Sequence, residues 1–126
     1  MPELVLRALD IGFFVFHSAV IVMNVAGWLW ARTRKAHLAV LGITAFSWFG
    51  LGPLLGFPLG YCFCTDWHWQ IRRQLGYTDN GGYIQLLFQM AGLSISAQTA
   101  AIVAYGAFGL ALLGAIVVNV RARRAC

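Results

Sequence analysis

Three apolar runs, each about as long as a bilayer-spanning helix, constrain the fold of this chain more than any other feature. They cover residues 11–31, 38–59 and 98–120, and about 20 apolar residues in a helix cross the hydrocarbon core. Of the 126 residues, 60% are hydrophobic and only 10% are charged, whereas an average soluble chain has about 25% charged residues. We therefore predict an all-α integral membrane protein with three transmembrane helices, forming one domain over residues 1–126.

Two clusters of basic residues set the expected orientation. They follow the first and third runs and consist of Arg32, Arg34 and Lys35, and of Arg121, Arg123 and Arg124. With three spans both clusters fall on one side, and the positive-inside rule places that side in the cytoplasm. Because six of the nine basic residues lie in these clusters, the net charge of +5 is a topology signal, and we expect no binding to nucleic acid.

The first apolar run is interpreted as a retained anchor. A cleaved signal peptide carries its positive charge before the apolar run, whereas this chain carries the cluster after it. We accordingly expect the N-terminus outside, the C-terminus in the cytoplasm, and residues 60–96 on the outer face.

Residues 60–96 are expected to form two short interfacial helices. Thr65 or Asp66 can cap the first, Gly76 can end it, and its docking stripe is predicted to be Trp67, Ile71 and Leu75. Arg72 and Arg73 are expected to be balanced by Asp66 and Asp79. The second helix, over residues 83–91, would rise only about 14 Å and is too short to span. Gly92 can end it, and Ser94 or Ser96 can cap the helix that follows.

Small residues predict close helix packing in the second and third spans. In the second span Gly52, Gly56 and Gly60 lie four apart, and Pro53 and Pro58 are expected to kink or end the helix. The third span carries a small-residue stripe made of Ala100, Ala104, Ala107, Ala111 and Gly114. Such faces allow close helix contact, so we expect them to pack against a larger membrane-protein partner.

A polar stripe on the first helix is the first candidate site. Asp10, His17 and Asn24 recur every seven residues and therefore share one side of the helix. Polar groups are costly inside a bilayer, so the stripe should face protein or water. Thr44 and Ser47 of the second span are possible partners. The pattern is interpreted as an interhelical hydrogen-bonded seam, with a ligand or proton site centred on His17 as the alternative.

The stretch from Cys62 to Trp69 is the second candidate site. Cys62, Cys64, Asp66 and His68 alternate, so an extended backbone would place all four on one side, where thiolates and an imidazole could hold zinc or copper. A helix starting at Asp66 would break this alternation. Capping and packing are therefore favoured over a metal site, and a disulfide between cysteines two residues apart would be strained.

No cofactor is predicted. Haem is disfavoured because His17 and His37 lie at opposite ends of their spans and differ in depth by roughly 20 Å at 1.5 Å per residue. His17 and His68 are the histidines expected at similar depth, and a surface segment is a poor platform for axial ligands.

The sequence resembles the bacterial membrane family catalogued as Domain of Unknown Function 2784. The resemblance is carried by His17, Asn24, Arg34, His37, the run Ser47-Trp48-Phe49-Gly50-Leu51-Gly52, and then Gly60-Tyr61-Cys62, Thr65-Asp66-Trp67-His68-Trp69 and Leu75-Gly76-Tyr77. The most specific part is a Cys-Pro-Leu-Thr-Asp-Trp-His-Trp type of motif, from which this chain departs at Phe63 and Cys64. The resemblance implies a small multi-span protein of the bacterial inner (plasma) membrane. It does not indicate an activity, because none is known for the family.

These observations favour a non-catalytic function. We expect an accessory or scaffold subunit of a larger membrane complex. The alternative is a protein that binds a metal or small ligand, or does redox chemistry, through Cys62, His17 and His68 at the outer face.

Overall fold

The structure, a computed structural model, describes residues 2–56, 62–78 and 82–124 as helices joined by short connections, with no strand in these ranges. The helices are α1 (Glu3–Ala26), α2 (Arg34–Ala45), α3 (Gly52–Leu54), α4 (Phe63–Gln74), α5 (Tyr83–Met90) and α6 (Ala97–Arg124). Two single 3-10 turns, Gly27–Leu29 and Ala31–Thr33, connect α1 to α2, and the π-helical segment Phe46–Leu51 joins α2 to α3.

Three helical segments are long and apolar enough to cross a membrane, as the sequence predicts. They are Glu3–Leu29, Ala31–Leu54 and Ala97–Arg124. The first begins at Glu3, ahead of the apolar run that starts at residue 11. Pro2 lacks the N–H that a first helical turn leaves unpaired, and the Glu3 carboxylate is favoured at the positive end of the helix dipole, so the helix can begin there.

The second span ends differently from the prediction. The helix changes to π geometry over Phe46–Leu51, continues through Pro53 and ends at Leu54. Gly56 then adopts a positive φ of 83°, a left-handed conformation that glycine reaches without steric cost. The predicted stripe of Gly52, Gly56 and Gly60 is therefore wrong at Gly56, which lies beyond the helix; Pro58 and Gly60 are outside the described residues.

The ends of the short helices follow the sequence closely. Gly76 and Gly92 have φ values of 93° and 84°, and each sits in a pair of backbone hydrogen bonds that closes a helix C-terminus. At the first of these, Tyr77 N–H donates to the Arg72 carbonyl at 3.0 Å. The Thr99 N–H donates to Ser96 Oγ at 3.1 Å, which confirms the predicted cap of α6.

Two compact units make up the chain, one formed by residues 1–18 and 62–104 and the other by residues 19–61 and 105–126. In the second unit Leu41, Ala111 and Ala115 are buried together, with Phe108 packed against them. Gly114 lies against the indole of Trp28. The alanine and glycine stripe of α6 therefore includes positions that this chain covers with its own side chains.

A polar contact joins the first two spans within the second unit. Asn24 Nδ2 donates to Thr44 Oγ1 at 3.0 Å, the partner that the sequence suggests, and Thr44 in turn donates to the Val40 carbonyl at 2.9 Å. The imidazole of His37 is fully buried and lies 2.9 Å, measured from Nε2, from the backbone carbonyl of Asn24.

Replacing Asn24 with Leu is expected to cost only about 0.6 kcal/mol of unfolding free energy, a typical value for a side-chain hydrogen bond between membrane helices. The loss is small because Thr44 keeps its bond to Val40, and the His37 contact uses the Asn24 backbone. Denaturant unfolding in detergent measures the change, and Thr44→Val should give a similar loss. A cost of several kcal/mol for Asn24→Leu would mean that the amide has a larger role than this contact.

Candidate functional site

A buried ion-pair cluster in the first unit is the strongest candidate site. His68 Nε2 donates to Asp10 Oδ1 at 2.7 Å, and Arg72 Nη1 donates to the same oxygen at 3.2 Å and to Oδ2 at 3.4 Å. The His68 side chain is fully buried, and Arg72 is 8% exposed. One carboxylate of α1 therefore binds an imidazole and a guanidinium, both from α4.

Aromatic rings shield this cluster from solvent. The His68 ring stacks on Phe13, with centroids 5.4 Å apart, and meets the edge of Phe14 at 4.6 Å. The Arg72 guanidinium lies 4.1 Å from the ring centroid of Tyr77 and 5.4 Å from that of Phe14. A cation over an aromatic face is attracted by the ring quadrupole, so these rings stabilise the charge that Asp10 balances.

His17 occupies a second position in the same unit. Its Nε2 lies 3.7 Å from Cys62 Sγ, within hydrogen-bonding distance for sulfur, and its ring stacks on Tyr83 with centroids 3.9 Å apart. The Tyr83 hydroxyl donates to the Phe14 carbonyl at 3.1 Å and accepts from Ser18 Oγ at 2.8 Å. Burial raises the pKa of Tyr83, and the Ser18 contact partly offsets that shift, so the hydroxyl remains a donor.

The two cysteines of the motif occupy different environments. Both are free thiols; Cys62 is half-buried and Cys64 is buried. Burial, and secondarily the nearby Cys62, raise the pKa of Cys64 to about 11. Among the residues that the structure describes, no three His, Cys, Asp or Glu side chains converge on a possible metal position.

The start of α4 corrects two expectations. Cys62, with extended backbone angles, is the residue before the first turn, so the predicted cap at Thr65 or Asp66 is wrong. Asp66 lies within the helix and accepts from Gln70 Nε2 at 3.2 Å. Because the helix begins at Phe63, the extended alternation of Cys62, Cys64, Asp66 and His68 does not form; Cys64 and His68 instead share a helical face at a spacing of four residues.

The buried face of α4 also differs from the prediction. Trp67, predicted to dock, is 55% exposed, whereas Cys64, His68, Trp69 and Arg72 are buried. Arg72 also binds Asp10 of α1, a partner that the expected balance of Arg72 and Arg73 by Asp66 and Asp79 does not include; Asp79 lies outside the described residues. A mostly buried carboxylate needs a counter-charge and donors, and only the face with His68 and Arg72 supplies them to Asp10.

The remaining motif residues surround the cluster. Thr65 is half-buried in the first turn of α4. The exposed Trp67 contacts the Phe63 ring, with centroids 5.4 Å apart, and the buried Trp69 contacts the ring of Tyr83 at 6.5 Å. Of the polar stripe on α1, Asp10 and His17 lie in this unit, and Asn24 lies in the other.

Sequence reasoning missed two residues of the site, Arg72 and Tyr83. Arg72 could have been found, since it follows Cys64 and His68 at four-residue intervals and therefore shares their helical face. Tyr83 begins the short helix α5, and no spacing in the sequence relates it to His17.

Fold and cluster together define an all-α protein with three helices able to span a membrane and a buried ion pair that joins the first of them to a short helix. The chain belongs to the family described as Protein of Unknown function (DUF2784), whose model matches residues 7–120. This match confirms the family that the sequence motifs indicate. Comparison with curated proteins and with solved structures found no match.

Proposed function

We propose that this protein is an accessory or scaffold subunit of a larger membrane complex. The observation that supports the proposal is the pairing of Asp10 with His68 and Arg72. Asp10 forms ion pairs with these two side chains, and the contacts attach α4 to α1. The charged groups therefore bind one another within this chain. A buried ion pair of this kind fixes one arrangement of its helices.

The described surface also suits a partner within the membrane. Gly106 and Gly109 of α6 are exposed, and a Cβ at either position would meet nothing within 4 Å. They lie one helical turn apart, next to the exposed Tyr105 and Leu113. Small residues let helix backbones approach closely in a bilayer, so this part of α6 is the proposed contact for the partner helix.

The proposed location is the bacterial inner (plasma) membrane, with the N-terminus outside and the C-terminus in the cytoplasm. The basic residues that follow the first and third spans support this orientation through the positive-inside rule. In this orientation α4 and α5 belong to the outer side.

Co-purification in a mild detergent tests the accessory function. We expect a tagged chain to retain a larger membrane protein in constant ratio, and Gly109→Leu to lose it because the added side chain separates the helix backbones. Leu112→Ile, which preserves volume, is the matched control and should retain the partner. Purified protein that stays alone in mild detergent and carries a stoichiometric metal or chromophore would contradict the proposal and favour ligand or redox chemistry.

A further inference from the structure

We infer that Cys62 is a nucleophilic thiol, activated by His17, that exchanges with a disulfide of a substrate. This inference does not depend on the accessory function. Sγ and Nε2 lie 3.7 Å apart, so the thiol can donate its proton to the imidazole. Cys62 is half-buried, whereas Cys64 is buried.

The imidazole is held in place against the sulfur. His17 is 7% exposed and stacks on the Tyr83 ring, and the Tyr83 hydroxyl is fixed by its bonds to Ser18 and the Phe14 carbonyl. His17 Nε2 is the ring nitrogen that faces the Cys62 sulfur, and Nδ1 has no hydrogen-bond partner among the described residues. A nucleophile, a base within reach and a group that orients the base are the recurring parts of nucleophilic sites.

The position of Cys62 in the fold supplies a second contribution. It immediately precedes α4, a helix of 12 residues, and its carbonyl accepts the Asp66 N–H at 3.1 Å. Unpaired N–H groups and the aligned peptide dipoles make a helix N-terminus favourable for negative charge. Reactive cysteines are commonly found at such N-termini and beside histidine, and Cys62 has both features.

The reaction is a balanced thiol exchange. The Cys62 proton moves to His17 Nε2, and the thiolate attacks one sulfur of the substrate disulfide, forming a mixed disulfide as the old S–S bond breaks. The departing substrate thiolate takes up the proton from His17. In the second exchange, a substrate thiolate attacks the substrate sulfur of the mixed disulfide. A new substrate disulfide forms and the Cys62 thiolate leaves, so no external oxidant or reductant is consumed.

Cys64 does not act as the second thiol of this exchange. It is buried and its raised pKa, about 11, keeps it protonated at neutral pH. The mixed disulfide is therefore resolved by a thiol of the substrate. The expected substrates carry both a disulfide and a free thiol.

Thiol kinetics with 4,4′-dithiodipyridine on purified protein in detergent test the inference. In a Cys126→Ser background, Cys64→Ser leaves Cys62 as the reactive thiol, and Cys62→Ser leaves Cys64. At neutral pH we expect Cys62 to react at least tenfold faster than Cys64, roughly the advantage of a thiolate over a buried neutral thiol. Equal rates in the folded protein would overturn the inference.

Substitution of His17 separates activation from simple exposure. We expect His17→Gln to slow the Cys62 reaction about tenfold at pH 7 and to have little effect near about pH 10, where a base is no longer needed to form a cysteine thiolate. If Cys64 still reacts slowly with 4,4′-dithiodipyridine when His17 is replaced by Gln, the unit remains folded. An unchanged Cys62 rate at pH 7 with Cys64 protected would overturn the inference.

If His17→Gln exposes Cys64, the pH dependence of the Cys62 reaction in the protein that keeps His17 tests the inference instead. Below neutrality, the reaction rate of an unassisted thiol increases about tenfold for each unit by which the pH rises, because its thiolate fraction does so. We expect a shallower rise for Cys62 between about pH 5 and 8, since the imidazole shares the proton. A full tenfold rise per unit throughout that range would contradict activation by His17.

Discussion

Replacing Asp10 with Asn is expected to destabilise the first unit by about 3 kcal/mol, because it removes the negative charge from a buried ion pair with Arg72. Asn can still accept the His68 bond, so the loss falls on Arg72, which is 8% exposed. Opening of the unit would expose the buried thiol of Cys64, and about 3 kcal/mol corresponds to roughly a hundredfold increase in the open population. The alkylation rate of Cys64 in detergent measures that increase.

A second ion pair on the same helix provides the control. Arg7 and Glu3 lie 2.7 Å apart with side chains 61% and 70% exposed, and exposed pairs of this kind contribute little. Glu3→Gln should therefore leave Cys64 alkylation unchanged. If Asp10→Asn behaved like Glu3→Gln, the ion pair between Asp10 and Arg72 would not be what stabilises the unit.

Adding a single methyl group at Gly114 is the second substitution with a large expected effect. A Cβ there would lie 2.5 Å from Trp28 Cε2 and 2.8 Å from Cγ, too close for any packed contact. The indole cannot retreat freely, because its Nε1 donates to the Val25 carbonyl at 2.7 Å. Overpacking typically costs about 1–3 kcal/mol, and we expect Gly114→Ala to lose about 2 kcal/mol of unfolding free energy in detergent.

Gly109 supplies the matched comparison, because a Cβ there meets nothing within 4 Å. Gly109→Ala should be neutral or slightly stabilising, since alanine is the better helix former. Combining Gly114→Ala with Trp28→Leu should recover part of the loss. Equal stability of the two alanine variants would show that Trp28 does not pack on Gly114.

The sequence predicts the helical scaffold well because length, hydropathy and local backbone chemistry determine it. Runs of about 20 apolar residues have few alternatives to a membrane helix. Gly76 and Gly92 end their helices because the left-handed conformation is easiest for glycine, and Ser96 caps α6 with its hydroxyl. Each of these features depends on residues within a few positions of one another.

The site was predicted only in part because its contacts join distant parts of the chain. Asp10 and His17 were identified from their spacing on α1, but the side chains that meet them come from residues 62–83. Trp67 is expected to dock because it shares an apolar stripe with Ile71 and Leu75; the structure instead buries Arg72, which pairs with Asp10. Helical periodicity describes only local spacing, so it does not predict that a long-range ion pair, and not the apolar stripe, determines which face of α4 is buried.

Asp10 and Arg72 act together to hold α4 on α1, and a double-mutant cycle tests this coupling most directly. Unfolding free energies of the parent, Asp10→Asn, Arg72→Gln and the double variant, measured in the same detergent, give the coupling energy. Residues in one ion-pair network typically show couplings of about 0.5–3 kcal/mol. The structure predicts at least about 1.5 kcal/mol, with the double variant more stable than the sum of the single losses implies. Losses that add within about 0.3 kcal/mol would contradict the claim.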